Sequence, residues 1–131
     1  MRYLVDSLSI ALGAGLGANA RYWFGYWLVG RTHAAFPWHT LLINVSGSLA
    51  LGAFVALALV HGWGHNWRLF FAVGLCGGFT TFSAYSTETV RLLEERQVLA
   101  AAGYFLGSNA LSVGACFLGA HFARMLWALP S

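Results

Sequence analysis

The sequence carries very little charge and has no lysine. Charged residues make up 8% of the 131 positions, and all seven basic residues are arginine, whereas about a quarter of a soluble domain is charged. The two cysteines, Cys76 and Cys116, lie inside apolar segments, where small hydrophobic side chains are expected rather than a disulfide or metal site. No basic patch with interleaved aromatics occurs, and no nucleophile, base and orienting group occur together. We therefore expect no nucleic-acid partner and no enzymatic activity.

Long apolar runs take the place of the missing charge, since 59% of the residues are hydrophobic. A membrane-spanning helix needs about 20 apolar residues, and the sequence predicts four of them joined by short links. Their approximate bounds are 4–28, 40–60, 68–93 and 98–123, within a single domain covering 1–131. This pattern predicts an all-α integral membrane protein that crosses the cell membrane several times, which in a bacterium is the inner membrane.

The third predicted span is interrupted by glycines and hydroxyl residues between Gly74 and Ser86. Glycine costs about 1 kcal/mol per helical position relative to alanine, and broken backbone at membrane depth is tolerated only inside protein or beside a polar cavity. The Gly77–Gly78 pair follows Arg68 by about 14 Å of helix, near half of a ~30 Å hydrocarbon core. We therefore predict a break at this pair, near the midplane, where channels and transporters hold ions.

The arginines give almost no preferred orientation in the membrane. With four spans, three arginines fall on each side when Arg21, inside the first span, is left out: Arg2, Arg68 and Arg124 against Arg31, Arg91 and Arg96. Orientation follows the asymmetry of positive charge, so such a chain can insert both ways. Two opposed copies would then form an antiparallel, dual-topology homodimer that imitates an inverted repeat.

Polar residues inside the spans are expensive and therefore indicate function. Thr40 and Asn44 share a face of the second span, and a polar stripe on the fourth repeats every four residues as Tyr104, Ser108 and Ser112. Neutral donors of this kind favour a small anion, because a cation path would use carboxylates or stacked carbonyls. Electropositive ring edges of the aromatic residues that follow the break fit the same interpretation. The alternative for each hydroxyl is a bond to its own helix.

Two charged residues have two interpretations each. Arg21 either attracts anions to a vestibule or anchors the first helix by snorkelling to headgroups. Glu88 either lies close to the polar boundary of the third span or faces a vestibule.

Three strings together resemble the Fluc (CrcB-type) family of fluoride channels over essentially the whole chain. They are Gly17-Ala18-Asn19-Ala20-Arg21-Tyr22, Thr40-Leu41-Leu42-Ile43-Asn44, and Gly77-Gly78-Phe79-Thr80-Thr81-Phe82-Ser83 followed by Glu88. The resemblance implies an antiparallel homodimer with two narrow pores that passively exports fluoride from the cytoplasm and relieves its toxicity. It also implies one structural Na⁺ at the dimer centre, not transported, held by backbone carbonyls of Gly77 and Thr80 from both subunits.

The resemblance also assigns residues to the fluoride path. The implied pore residues are Asn44, Phe82, Ser83, Tyr85, Tyr104, Ser108 and Ser112, with Arg21, Thr40, Thr81 and Glu88 in support or in a vestibule. Two positions depart from the family pattern: Tyr85 replaces a phenylalanine, and Cys116 stands where a hydroxyl residue is expected. The Tyr85 hydroxyl either donates to fluoride or narrows the path.

Two other functions fit a small four-span chain. A dual-topology multidrug or cation exporter has a similar size but usually needs a carboxylate in its first helix to couple protons, and the only acid there is Asp6, at the entrance. A non-transporting assembly subunit would explain the small residues that favour helix packing. It would not explain the glycine-and-hydroxyl break.

Overall fold

The computed structural model describes residues 1–29 and 36–127, which fold into helices joined by short links, without a β-strand in those ranges. The helices are α1 (Arg2–Val29), α2 (Trp38–Val60), α3 (65–79), α4 (Phe82–Glu94) and α5 (Val98–Trp127). The predicted all-α fold is therefore confirmed. Arg31, one of the arginines in the charge count, lies outside the described residues.

Three helical segments of the described chain are long and apolar enough to cross a membrane. They are Trp38–Val60, His65–Glu94 and Val98–Trp127. The 28-residue α1 is about 42 Å long at helical rise, but it is not among these three apolar segments. Length and composition therefore support a multi-pass membrane protein with three spanning segments.

The third spanning segment is helical up to Phe79 and breaks at the two residues that follow. α3 begins as an α-helix at His65–Arg68, widens to a π-helix over Leu69–Cys76, and continues helically through Gly77–Phe79. Thr80 and Thr81 are extended, with ψ of 158° and 116°, before α4 begins at Phe82. The prediction that the break lies at Gly77–Gly78 is therefore wrong by three residues.

The glycine before the break is required by packing rather than by backbone conformation. A Cβ on Gly78 would lie 2.5 Å from the carbonyl oxygen of Ala14 on α1. The same holds on both helices for three more glycines. A Cβ added to Gly13, Gly17 or Gly74 would lie 2.3, 2.2 or 2.8 Å, respectively, from the nearest carbonyl oxygen of the opposite helix. Small residues spaced by four allow such close approach, so these glycines hold α1 against α3.

The most extensive helix–helix contact among the described residues joins α2 to α5 and also depends on glycine. A Cβ on Gly52 would lie 2.0 Å from the Cys116 carbonyl oxygen, and one on Gly119 would lie 2.1 Å from the Leu49 carbonyl oxygen. Backbone atoms cannot move aside as a flexible side chain can. Each helix therefore presents a glycine to the backbone of the other.

Gly119→Ala is expected to destabilise the protein by about 1–3 kcal/mol or more, the usual cost of overpacking. Gly114→Ala is the matched control on the same helix, because a Cβ at Gly114 meets nothing within 4 Å and alanine is the better helix former. Thermal unfolding in detergent should show a lower midpoint for Gly119→Ala alone. Equal midpoints for the two variants would contradict the close α2–α5 contact.

A small buried core joins α2, α4 and α5 beside the break. Its residues are Leu41, Tyr85, Leu92, Ala101 and Tyr104. The short link after α4 closes with hydrogen bonds from Arg96 N to Leu93 O and from Gln97 N to Leu92 O, at 3.0 and 2.8 Å. This tight turn returns the chain antiparallel, so that α5 packs against both α4 and α2.

Candidate pore and vestibule

The break is held open by one side chain from α2. Asn44 Nδ2 donates to the Thr81 carbonyl at 3.1 Å, and the Thr81 N–H donates to Asn44 Oδ1 at 2.8 Å. An amide is the side-chain group that can both donate and accept in this way. Asn44 therefore replaces the backbone partners that Thr81 would have in a continuous helix.

The same geometry frees two carbonyl groups. In a continuous helix the Gly77 carbonyl would accept from the N–H of Thr81, and the Thr80 carbonyl from that of Ala84. Here the Thr81 N–H goes to Asn44, and the Ala84 N–H donates to Thr81 Oγ1 at 3.2 Å, which caps α4. Gly77 and Thr80 thus carry carbonyl oxygens whose helical donors are engaged elsewhere.

A cavity of about 240 Å³, here called the pore cavity, lies beside the break between α2, α4 and α5. Hydroxyl, amide and aromatic groups from these helices face it together with a few aliphatic residues. Its lining comprises Asn44, Ser48, Leu51, Thr80, Thr81, Phe82, Tyr85, Ser108, Asn109, Ser112 and Val113. None of these described lining residues carries a charged side chain, so the cavity offers neutral hydrogen-bond donors.

Ser108 is unusual among the hydroxyl residues of the described chain. Several hydroxyls bond to the carbonyl four residues earlier in their own helix, as predicted for an uninvolved hydroxyl: Ser9, Ser46, Thr80, Ser86, Thr87 and Thr89. Ser108 Oγ is buried and has no hydrogen-bond partner within the part of the chain that the structure describes. A buried polar atom without a partner is costly, so Ser108 is suited to bind something that enters the cavity.

A larger cavity of about 600 Å³, here called the vestibule, lies on the other side of Thr81 between α1, α2 and α4. Its lining residues with polar or charged groups are Arg21, Tyr22, Tyr26, His39, Thr40, Thr81 and Glu88. Thr81 lines both cavities. The break is therefore the boundary between them.

Glu88 is the centre of a hydrogen-bond network in the vestibule. Thr40 Oγ1 donates to Glu88 Oε1 at 2.8 Å, and the Tyr104 hydroxyl donates to Glu88 Oε2 at 2.6 Å. His39 Nε2 lies 3.2 Å from Glu88 Oε1. Three groups thus surround this carboxylate, which links α2, α4 and α5 at the vestibule end of the core.

The structure divides the predicted site residues into groups. Asn44, Phe82, Tyr85, Ser108 and Ser112 line the pore cavity, and Arg21, Thr40, Thr81 and Glu88 line the vestibule. Tyr104 lines neither cavity, because it is fully buried and its hydroxyl donates to Glu88.

Two further predicted residues line neither cavity. Ser83 is exposed, with Oγ 3.2 Å from Thr81 Oγ1. Gly77 is exposed in the helical turn before the break. The two free thiols, Cys76 and Cys116, line neither cavity.

Three polar residues that contribute to these sites were missed from the sequence. Ser48 continues the four-residue spacing of Thr40 and Asn44, so periodicity alone could have identified it. Asn109 is an amide in the middle of an apolar span, which is a signal of function in itself. Nothing in the local sequence pattern indicates a role for His39, because its contact with Glu88 joins distant parts of the chain.

Residues 8–120 match the family model described as CrcB-like protein, Camphor Resistance (CrcB). The chain belongs to the CrcB family. This match includes the paired Asn44–Thr81 hydrogen bonds at the break, here called the clamp, every residue of the pore cavity and most of the described chain. The CrcB-family assignment agrees with the resemblance carried by the three sequence strings.

Curated relatives of this CrcB-family chain share more than two fifths of its residues. A protein of Nitrobacter winogradskyi is 44% identical over 125 residues, covering 91% of this chain and 95% of the relative. Proteins of Paramagnetospirillum magneticum and Granulibacter bethesdensis are also 44% identical, covering 84% and 94% of this chain and 88% and 98% of their own lengths. Each of these relatives carries the name fluoride-specific ion channel FluC.

Proposed function

We propose that this chain is a fluoride-specific ion channel, not an enzyme, that lets fluoride leave the cytoplasm passively and so relieves its toxicity. The observation that carries the proposal is the pore cavity at the Asn44–Thr81 break, lined by neutral donors. It occurs in a chain that covers nearly the whole length of relatives named as fluoride-specific channels.

The chemistry of fluoride fits this lining. Removing a small, strongly hydrated anion from water is costly unless hydrogen-bond donors replace its hydration shell. Ser108, Ser112 and Asn44 supply hydroxyl and amide groups, and the rings of Phe82 and Tyr85 supply electropositive edges. None of the described lining residues is a carboxylate, so no negative side chain repels the anion in the pore cavity.

The working unit is an antiparallel homodimer in which each protomer crosses the membrane four times. Phe82 supports a second copy, because this pore-cavity residue is 77% exposed in the single chain. α1 is long enough to be the fourth span, and the near-equal arginine count permits insertion in both orientations. A cysteine engineered at one terminus of the protein should be modified in about half of the molecules when intact cells are labelled from outside. Labelling of all molecules from one side would exclude dual topology.

One structural Na⁺ at the dimer centre completes the proposal. The carbonyl oxygens of Gly77 and Thr80 fit this role, because their helical donors are engaged elsewhere and a hard cation takes oxygen ligands. When bound, the ion would add a fixed positive potential beside the fluoride path. Asn44 and Thr81 would then serve the ion indirectly by keeping the helix open at this point.

A fluoride-selective electrode on protein-loaded liposomes tests the function directly. Liposomes loaded with fluoride should release it rapidly when the potential is clamped with valinomycin and K⁺, and the rate should not depend on a proton gradient. Protein-free liposomes are the control. Absence of release would contradict the channel proposal, and release that requires a proton gradient would favour a coupled exporter instead.

A further inference from the structure

Tyr85 and Asn109 form a hydrogen-bonded pair on the wall of the pore cavity. Asn109 Nδ2 lies 2.8 Å from the Tyr85 hydroxyl oxygen and 2.6 Å from the Phe105 carbonyl oxygen. A carbonyl oxygen only accepts hydrogen bonds, so the group next to Phe105 must be the amide NH₂. The NH₂ group cannot accept, and Asn109 therefore donates to the Tyr85 oxygen as well.

Among the described residues, the proton of the Tyr85 hydroxyl has only a weak acceptor. Its contact with the Phe105 carbonyl is 3.5 Å long, which is at the limit for a hydrogen bond, and that carbonyl already accepts from Asn109 at 2.6 Å. Tyr85 is 5% exposed, so bulk water gives little compensation. The phenolic proton is thus available to an acceptor that enters the pore cavity.

A second observation points to the same place in the cavity. Ser108 directly precedes Asn109, is 5% exposed, and has a hydroxyl without a partner among the described residues. Tyr85, Ser108 and Asn109 all line the pore cavity. Two buried hydroxyl groups on one wall therefore lack strong acceptors within the described ranges, which is the arrangement that a small anion would satisfy.

We infer that Asn109 is a positioning residue that directs the Tyr85 hydroxyl to donate a hydrogen bond to fluoride in the pore cavity. The Asn109 amide donates to a lone pair of the Tyr85 hydroxyl oxygen. The phenolic proton is then the part of this hydroxyl that binds the anion. This inference rests on the proposed function and specifies how the tyrosine at this position takes part. It resolves the two interpretations of Tyr85 in favour of donation to fluoride rather than narrowing of the path.

Tyr85→Phe and Asn109→Ser test the inference in the liposome assay. Tyr85→Phe removes one oxygen and keeps the ring, while Asn109→Ser keeps a polar group that can bond to Phe105 but is too short to reach Tyr85. Each should raise the half-saturating fluoride concentration by about tenfold or more, the effect of losing one hydrogen bond to a charged group. A packing defect would instead lower the maximum rate and the thermal unfolding midpoint.

The double variant separates positioning from direct binding. In the Tyr85→Phe background, Asn109→Ser should cause no further rise in the half-saturating concentration, because the hydroxyl that it positions is gone. The inference would be overturned if Asn109→Ser raised the half-saturating fluoride concentration equally with and without the Tyr85 hydroxyl. An unchanged half-saturating concentration in Tyr85→Phe would also overturn it. Both of those results leave the channel proposal standing, whereas failure of the unaltered protein to release fluoride would overturn the proposed function itself.

Discussion

Phe82→Ile is expected to abolish fluoride release from liposomes and leave the protein folded. Phe82 begins α4 immediately after the break, lines the pore cavity and is 77% exposed in the protomer. Isoleucine keeps an apolar side chain but has no electropositive ring edge to offer an anion. The fluoride electrode should therefore record a rate close to that of protein-free liposomes.

Phe117→Ile is the matched control for this experiment. Phe117 is 71% exposed on α5 and does not line the pore cavity. The Phe117→Ile variant should release fluoride at the rate of the unaltered protein. Both variants should elute from size-exclusion chromatography at the same volume. Full release by Phe82→Ile would remove Phe82 from the fluoride path.

Asn44→Ala is expected to damage both stability and conduction. The change removes both partners of the Thr81 backbone at a part-buried position, and each buried polar group left unpaired costs about 1–3 kcal/mol. The thermal unfolding midpoint in detergent should fall clearly. Fluoride release should fall by at least about tenfold, the rate equivalent of roughly 1.4 kcal/mol, because the pore cavity is built around the break.

Ser46→Ala on the same helix provides the comparison. Ser46 is exposed, and its hydroxyl donates to the carbonyl oxygens of Leu42 and Ile43 within α2 itself. Its removal should leave both the unfolding midpoint and the release rate nearly unchanged. Asn44→Ala with a midpoint equal to that of Ser46→Ala would show that the Asn44 clamp does not stabilise the break.

The sequence was sufficient to predict that the third spanning segment breaks, but not at which residue. Glycine and hydroxyl residues weaken a helix wherever they occur, so composition pointed to the Gly77–Gly78 pair. The break lies instead at Thr80 and Thr81, because Asn44 takes both backbone groups of Thr81. That contact joins residues 37 positions apart, and no local pattern encodes it.

The polar stripe on α5 shows a similar limit. Spacing by four predicts one shared helix face for Ser108 and Ser112, and both residues line the pore cavity. Tyr104 follows the same spacing but donates to Glu88 at the vestibule end of the core. Periodicity assigns a face of a helix, whereas the packing of α2 and α4 decides which cavity each position on that face reaches.

The Asn44–Thr81 clamp predicts unequal mutational tolerance at its two ends. Thr81 joins the clamp through its backbone, so a substitution library should accept serine or asparagine there, since both are neutral and can still cap α4. Asn44 joins through its side chain, and only an amide of that reach supplies a donor and an acceptor together. A residue on the second spanning segment therefore determines the backbone conformation of the third. Genetic variation at Asn44 in α2 is expected to alter the break between α3 and α4.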